Sequence, residues 1–166
     1  MSDPLAPQPA LPPSERTFLV VVDETTEMRV ALRFAALRAG HTGGRVALLY
    51  VIEPSDMQQW MAVESLMRAE RREEAEQLLH KLSAEVSELS GSMPVVYIRE
   101  GRRRDELLTL LDEEPSISIL VLAAGTGQEG PGPLITALVG KMAGRMRVPI
   151  TVVPGGLDDD QIAALA

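Results

Sequence analysis

The sequence predicts an α/β protein: a five-stranded, doubly wound parallel sheet with helices on both faces, in a Rossmann-like architecture. Two observations predict it. Short apolar runs, of the kind that strands buried on both faces require, alternate with tracts whose apolar residues recur at helical spacing. Right-handed crossovers between such parallel strands place helices on both faces of the sheet. The 166 residues, 45% of them hydrophobic, are enough for one core and too few for two.

The first strand is predicted at Thr17–Val22, a β-branched run that is too apolar for a surface strand. It ends at Asp23, and either Thr25 or Thr26 can cap the helix that follows. An acidic residue at the carboxyl end of a strand is either a ligand-facing carboxylate or part of a solvated turn, and the turn is the default from sequence alone. Three glycines close the helix: Gly40, Gly43 and Gly44.

The second predicted strand, Arg45–Pro54, leads into the longest helical tract, Ser55–Ser90. One apolar stripe follows this tract: Leu66, Met67, Leu78, Leu79, Leu82, Val86 and Leu89. The charges beside the stripe alternate in sign, which predicts a solvated face with i,i+4 ion pairs. Apolar residues near the start of the tract form either core contacts or an exposed patch for a partner: Met57, Trp60, Met61 and Met67.

The third predicted strand, Met93–Glu100, turns at Gly101 into another helix. Three leucines of this helix are predicted to face inward: Leu107, Leu108 and Leu111. The helix begins with Arg102–Arg104, whose positive charges oppose its dipole. One interpretation has these arginines solvated and paired with nearby carboxylates: Asp105, Glu106 or Glu100. The alternative is a contact with a phosphate or with a partner.

A glycine-rich loop separates the fourth predicted strand, Ile119–Ala124, from a helix whose apolar residues run from Leu134 to Met142. The loop contains four glycines and two prolines: Gly125, Gly127, Gly130, Gly132, Pro131 and Pro133. Backbone N–H groups of such a loop can cradle a phosphate, although Glu129 adds a negative charge and the prolines remove two donors. Strand, glycine loop and helix in this order place a potential anion site at the carboxyl edge of the sheet.

The fifth strand, predicted at Arg147–Pro154, has proline towards both ends and can serve as a sheet edge. An apolar edge that is left bare invites pairing with another chain, so we expect a homodimer through this strand. In the tail that follows, Asp158 can cap one short helix.

Composition and charge restrict the classes of function. The sequence has no cysteine, which excludes disulfides, thiolate metal sites and cysteine catalysis. Its net charge of −8 argues against general nucleic-acid binding and against a polybasic membrane anchor. Residues 1–15 contain five prolines and neither a basic nor a continuous apolar segment, so we expect a disordered tail and a cytoplasmic protein. The domain is predicted over residues 16–155, with a second tail at 156–166.

The spacing inside the glycine loop is more specific than its composition. Two residues separate Gly127 from Gly130, and nine separate Gly130 from Gly140. This spacing resembles the nucleotide-binding signature G-x2-G-x9-G-[S/T] of the universal stress protein family, although Lys141 stands where the family has Ser or Thr. The segment V-V-D-E-T, which ends at Thr25, likewise resembles the V-D-x-S near the start of family members.

The resemblance spans residues 17–154 and implies the strand order 3-2-1-4-5. Such a sheet has its switch point between the first and fourth strands, so Asp23 and the glycine loop should meet across one crevice. The resemblance further implies an ATP site in which Asp23 and Thr25 face the nucleoside and Val51 contacts adenine through its backbone. The three signature glycines and Lys141 would then hold the phosphates, and Asp23 is the residue available to Mg²⁺.

Three functional interpretations remain open at this point. The first is an ATP-binding regulatory protein of the stress response, and the second is a nucleotide-free homodimer that acts as an interaction module for an unknown protein partner. The third is an enzyme of the related adenine-nucleotide α-hydrolase folds, such as a nucleotidyl transferase, but residues 24–27 (E-T-T-E) lack the basic, Ser- or His-bearing loop of that class. No catalytic set can be assembled from residues near the crevice, so we expect at most slow ATP hydrolysis.

Overall fold

The computed structural model describes residues 15–54 and 61–166, and the side chains of the long second helix from residue 65 onward. In chain order the elements are β1 (Thr17–Val22), α1 (Met28–Thr42), β2 (Arg45–Ile52), α2 (Met61–Ser90), β3 (Val95–Glu100), α3 (Arg103–Glu113), β4 (Ile117–Ala124), α4 (Pro133–Val139), a 3₁₀ turn (Ala143–Arg145), β5 (Ile150–Pro154) and α5 (Asp159–Leu165). Residues 1–14 of the tail predicted for residues 1–15 lie outside the described residues, and so do Met57 and Trp60 of the predicted apolar patch.

The five strands form one parallel sheet in the order β3-β2-β1-β4-β5. The predicted fold class and strand order are therefore confirmed. β1 lies at the centre, where Val20 is paired with Leu48 of β2 on one side and with Val121 of β4 on the other. After β1 the chain passes through α1 to β2 on one side of β1, and only after α3 does it add β4 on the other side. The connections therefore run in opposite directions from β1 and β4, and the switch point of the sheet is the crevice at the carboxyl ends of these two strands.

The side chains of β1 divide the interior into two cores, because successive residues of a strand point to opposite faces. Phe18, Val20 and Val22 pack with residues of α1 and α2. Leu19 and Val21 pack with residues of α3 and α4 on the other face. All five side chains are buried, as a central strand covered on both faces requires.

From residue 65 onward, the buried side chains of the long helix α2 all lie between positions 75 and 86. They are Ala75, Leu79, Leu82, Ser83 and Val86. Leu66 is 62% exposed, so its predicted place in the buried stripe is wrong. The reason is length: the 30 residues of α2 extend about 45 Å, whereas the eight-residue strand β2 extends about 27 Å. Across the described ranges, the chain forms no helix with the length and apolar character that a bilayer crossing requires.

On the other face of the sheet, α3 and α4 are shorter than α2 and pack by a narrow set of residues. In α3 the buried leucines are Leu107, Leu110 and Leu111. Leu108, which was also predicted to face inward, is partly buried and packs against the same core cluster. The helix predicted to reach Met142 ends earlier: α4 stops at Val139, and Gly140 is its C-terminal cap residue. The chain then turns through the 3₁₀ segment towards β5.

Arg147 explains why β5 begins at Ile150 and not at Arg147 as predicted. Its Nε donates to the carbonyl oxygen of Leu111 at 2.9 Å, and its Nη2 donates to those of Glu114 and Ile117 at 3.2 Å each. These carbonyls lie at the end of α3 and the start of β4. The guanidinium thus satisfies acceptors that a helix end leaves open, and it holds the chain out of the strand.

Three further strand boundaries differ from the prediction by two residues each. β2 ends at Ile52 ahead of Pro54, and β3 begins at Val95 after Pro94, because proline has no N–H for the ladder. β4 begins at Ile117 and not at Ile119. The short helix in the C-terminal segment is present, with Asp158 as its cap: the Asp158 side chain accepts from the Gln161 backbone at 2.8 Å, and the Gln161 side chain accepts in return at 2.9 Å.

A matched pair of leucine substitutions tests this assignment of the core. Leu48 is fully buried in the sheet, so Leu48→Ala should lower the free energy of unfolding by about 2–5 kcal/mol. Leu66→Ala, the same change at an exposed position of α2, should alter it by no more than about 0.5 kcal/mol. Urea unfolding followed by circular dichroism measures both. Equal losses for the two variants would contradict the exposed position of Leu66.

Candidate ligand site at the carboxyl edge of the sheet

The carboxyl ends of β1 and β4 face a large open cavity, at the place where sheets of this topology bind ligands. Its volume is about 1250 Å³, more than that of the neighbouring cavities described below. Three parts of the chain line it: the turn before α1, the glycine loop after β4, and α4 with the segment that follows it, together with one side chain from α3. The site is therefore assembled from residues that are distant in sequence.

Most of the predicted binding residues meet in this region. Five line the cavity itself: Thr25, Gly127, Gly130, Gly140 and Lys141. Asp23 lines an adjoining cavity of about 220 Å³ that shares Thr25, Glu27 and Pro133 with the larger one. Val51 is 4% exposed, with its side chain in the core cluster of α3 and α4, and it lines neither of these two cavities.

Asp23 and Thr25 form a closed turn at the end of β1. One oxygen of Asp23, Oδ1, accepts from the backbone N–H of Thr25 at 2.9 Å and from its hydroxyl at 2.5 Å. The prediction that Thr25 or Thr26 caps α1 is wrong, because the cap position is Glu27, which makes no side-chain cap bond. Within the described ranges, Oδ2 of Asp23 has no hydrogen-bond partner, which leaves one carboxylate oxygen for a ligand or a cation.

The glycine loop uses part of its own backbone to hold its shape. The N–H of Gly125 donates to the carbonyl of Pro131 at 3.0 Å, and the N–H of Gly130 donates to that of Gly127 at 3.3 Å. Gly130 has a φ of 89°, a conformation that L side chains rarely adopt. Pro131 and Pro133 contribute no N–H at all. Fewer backbone donors remain for an anion than the number of glycines suggests.

Gly155, which the sequence analysis missed, determines how closely three elements approach beside this site. Its N–H donates to the carbonyl oxygen of Ala124 at 3.0 Å, at the point where β4 passes into the loop. A Cβ at position 155 would overlap that oxygen and lie 2.9 Å from the Cβ of Glu27. Only glycine therefore allows the start of α1, the end of β4 and the end of β5 to approach this closely. A glycine directly after the last strand was the available signal.

Charged side chains surround the cavity without strong internal pairing. Arg104 and Lys141 line it together with Glu27 and Glu129. Arg103 lines the adjoining cavity beside Asp23.

The ion pairs of the α3 arginines are long. Nε of Arg104 lies 3.7 Å from Oδ1 of Asp105, as one interpretation predicted, and both side chains are about half exposed. Nε of Arg103 lies 4.0 Å from Oε1 of Glu53 and has no hydrogen-bond partner in the described part of the chain. Glu100, which was also a predicted partner, pairs with Arg68 at 3.8 Å. The arginines thus pair weakly with carboxylates and line cavities as well.

Tyr50 lies near the carboxyl end of β2 and is influenced by charged residues of the site. Burial raises the pKa of its phenol above the ordinary value, and the negative charge of Glu24 raises it further, while Arg103 and Arg71 act in the opposite direction. The phenol is therefore uncharged at neutral pH and keeps a hydroxyl donor beside the charged residues of the site.

Comparison with known proteins gives a consistent result. The family model described as the universal stress protein family matches residues 15–154. The universal stress protein UspA from Lactobacillus plantarum is 18% identical with a TM-score of 0.71, and the match covers 83% of this chain and 97% of that one. A universal stress protein in complex with cAMP is 16% identical with a TM-score of 0.57, covering 86% of this chain and 99% of that one. The protein from Archaeoglobus fulgidus in complex with dAMP has the same identity and TM-score, covering 84% and 98%.

At these identities the structural likeness shows the fold alone. A search of curated proteins found no sequence match.

Two glycines of the signature provide a matched test of the loop conformation. Gly130→Ala should lower the free energy of unfolding by about 1–2 kcal/mol, because a side chain there is strained at positive φ. Gly127→Ala should leave it unchanged or raise it by up to about 1 kcal/mol, because position 127 has no such φ and no atoms within 4 Å of an added Cβ. Urea titration measures both variants, and a loss at position 127 equal to that at 130 would contradict this conformation.

Proposed function

The chain belongs to the universal stress protein family, and on this premise we propose that it is an adenine-nucleotide-binding regulatory protein of the stress response, with ATP as its ligand. One observation carries the proposal. The three signature glycines and Lys141 line the same cavity as Thr25, at the switch point of the sheet. The motif at the end of β1 and the glycine signature after β4 thus both contribute residues to one space. That space is open to solvent and large enough for a nucleotide.

The chemistry of the lining assigns a role to each part of the site. The loop amides that remain free and the ammonium of Lys141 suit the phosphates, since both are donors to anionic oxygens. Asp23 and Thr25 lie towards the nucleoside, and the backbone of Val51 is the expected contact of adenine. Two structural neighbours are described as complexes with cAMP and with dAMP, which favours an adenine nucleotide as the class of ligand.

Mg²⁺ would enter this site with the nucleotide. No group of three or more His, Asp or Glu residues able to hold a metal ion is found among the described residues, so the protein alone offers a partial set of ligands. Oδ2 of Asp23 is a suitable oxygen, and Mg²⁺ commonly binds one or two carboxylates together with phosphate oxygens and water. The ion would neutralise part of the phosphate charge near Glu27 and Glu129.

The nucleotide-free alternative has its own support in the loop. Two prolines lack donors, and two amides bond within the loop itself, so backbone binding of phosphate is weaker than the motif alone suggests. In this second candidate function the protein acts through its surface and not through a ligand. Binding measurements with ATP separate the two candidates.

We also propose that the protein is a homodimer paired through β5. β5 is an edge of the sheet, and its Val152 is 40% exposed. Beside it, Val139 is 50% exposed, and a shallow cavity of about 460 Å³ is lined by Met146, Val148 and Ile150 together with these two valines. An apolar edge with unpaired backbone groups is a surface that proteins usually cover, and a second copy covers it by symmetry.

Substitutions of Lys141 test the nucleotide site. Lys141→Glu places a carboxylate beside the phosphates and should weaken ATP binding at least about tenfold, since a charge-assisted contact contributes about 1.5–3 kcal/mol. Lys141→Ser restores the residue type of the family signature and should leave the affinity within about tenfold. Isothermal titration calorimetry with Mg-ATP measures all three proteins. No heat for the wild type would favour the nucleotide-free alternative, and wild-type binding that Lys141→Glu leaves unchanged would move the phosphates elsewhere.

A second matched pair tests the dimer. Val152 on β5 and Val96 on β3 are both 40% exposed, and they lie on opposite edges of the sheet. Val152→Glu places a charge in the proposed interface and should convert the dimer to a monomer, whereas Val96→Glu should leave it intact. Light scattering at tens of micromolar measures the mass, and circular dichroism confirms that both variants fold. A wild-type mass equal to one chain would contradict the proposal.

A further inference from the structure

We propose that the C-terminal helix α5 is coupled to the ligand site: a nucleotide in the large cavity strengthens the docking of α5 on α1, and release of α5 weakens the binding of the nucleotide. This inference rests on the proposed nucleotide-binding function and adds a regulatory element to it. α5 begins at Asp159, beyond the residues 15–154 that the family model matches, so its role cannot be read from the family signature.

The connection between β5 and α5 lies against the walls of the large cavity. The N–H of Gly155 donates to the carbonyl oxygen of Ala124 at 3.0 Å, at the start of the glycine loop. A Cβ on Gly155 would lie 2.9 Å from the Cβ of Glu27, and one on Gly156 would lie 3.4 Å from Cγ2 of Thr126. Glu27 and Thr126 both line the cavity, so two residues that would face a ligand also contact the connection to α5.

Few contacts hold α5 in place on α1, which is its main neighbour. Ile162, at 1% exposure, is the one buried residue of this fully described helix. Nε of Arg33 lies 3.5 Å from Oδ1 of Asp159, and these side chains are 34% and 76% exposed, so the ion pair stabilises little. Nδ1 of His41 lies 2.9 Å from the backbone oxygen of Ala166 at the surface. A helix held in this way opens locally more readily than the central strands do.

The coupling follows from the difference between the docked and the released state. In the docked state, Leu157 packs against the core cluster that contains α1, and Gly155 holds the carbonyl of Ala124. Release of α5 frees this connection, so Glu27 and Thr126 lose the neighbours that fix them. A ligand then has to order residues that the docked state already holds, and it binds more weakly. Linkage is reciprocal, so the ligand favours the docked state by the same factor.

Hydrogen exchange of the full chain, with and without saturating Mg-ATP, measures the docking of α5 directly. The amide of Ile162 donates to the carbonyl of Asp158 at 3.0 Å, and that of Ala166 donates to the carbonyl of Ile162 at 2.9 Å. Mg-ATP should slow the exchange of these amides about fivefold or more, the lower end of typical coupling between sites. The amide of Glu114 in the last turn of α3 is the control, because α3 lies on the other face of the sheet, and its exchange should change by less than about twofold.

Two substitutions on α5 test the reciprocal effect. Ile162→Ala removes the buried docking contact and should weaken Mg-ATP binding about fivefold or more in calorimetry. Leu165→Ala is the matched control on the same helix: Leu165 is 63% exposed, so this change should leave the affinity within about twofold. Circular dichroism checks that both variants fold, and the exchange experiment on the wild type decides alone if Ile162→Ala does not.

The outcomes separate this inference from the function on which it rests. A wild type that binds Mg-ATP without slower exchange in α5 would overturn the coupling and leave the nucleotide site intact. Equal slowing in α5 and in the last turn of α3 would also overturn it, because it would indicate a general stabilisation. Equal affinities of folded Ile162→Ala and Leu165→Ala would do the same. A wild type that does not bind Mg-ATP would overturn the proposed function and this inference together.

Discussion

Burial of β1 on both faces and on both edges is the constraint on which the rest of the structure depends. A parallel strand in this position cannot be connected by hairpins, so each neighbour has to be reached through a helix, and the helices have to lie on opposite faces. The alternation of Phe18, Val20 and Val22 with Leu19 and Val21 then builds two cores from one strand. The same arrangement leaves a gap at the carboxyl end of β1, because the chain departs from it in one direction and approaches β4 from the other. The candidate site is a consequence of how the centre of the sheet is covered.

The sequence predicted those features that depend on apolar pattern. β1 has the predicted boundaries, and the sheet has the predicted order, because a buried strand needs an unbroken β-branched run and the family resemblance supplies the topology. Errors arise where a single side chain decides the local structure. Arg147 is held by three carbonyl oxygens and delays β5, and Asp23 holds Thr25 in a turn two residues ahead of Glu27, the cap position of α1. No periodicity in the sequence records such bonds.

The candidate site also has a part that the sequence predicted and a part that it did not. Spacing of glycines placed Gly127, Gly130 and Gly140 on one cavity, because a motif keeps its geometry when its chain segment is continuous. The sequence left two interpretations of the arginines after β3. Arg103 and Arg104 have carboxylate neighbours at long distance, as the first interpretation predicts, and contact with a phosphate or a partner stays a prediction. Contacts between segments that are far apart in sequence required the fold before they could be seen.

The close packing around Gly155 has a consequence for how the family can evolve. The carbonyl of Ala124 and the first turn of α1 leave no room for a side chain at position 155, whatever occupies the cavity. Replacements there are therefore removed by the requirement to fold before any effect on ligand affinity can be selected. Homologous chains that have lost their ligand should still keep a glycine after the last strand, whereas the residue that corresponds to Lys141, which is exposed, is free to drift once the ligand is gone. The two positions together record whether a lineage has preserved only the scaffold or also its chemistry.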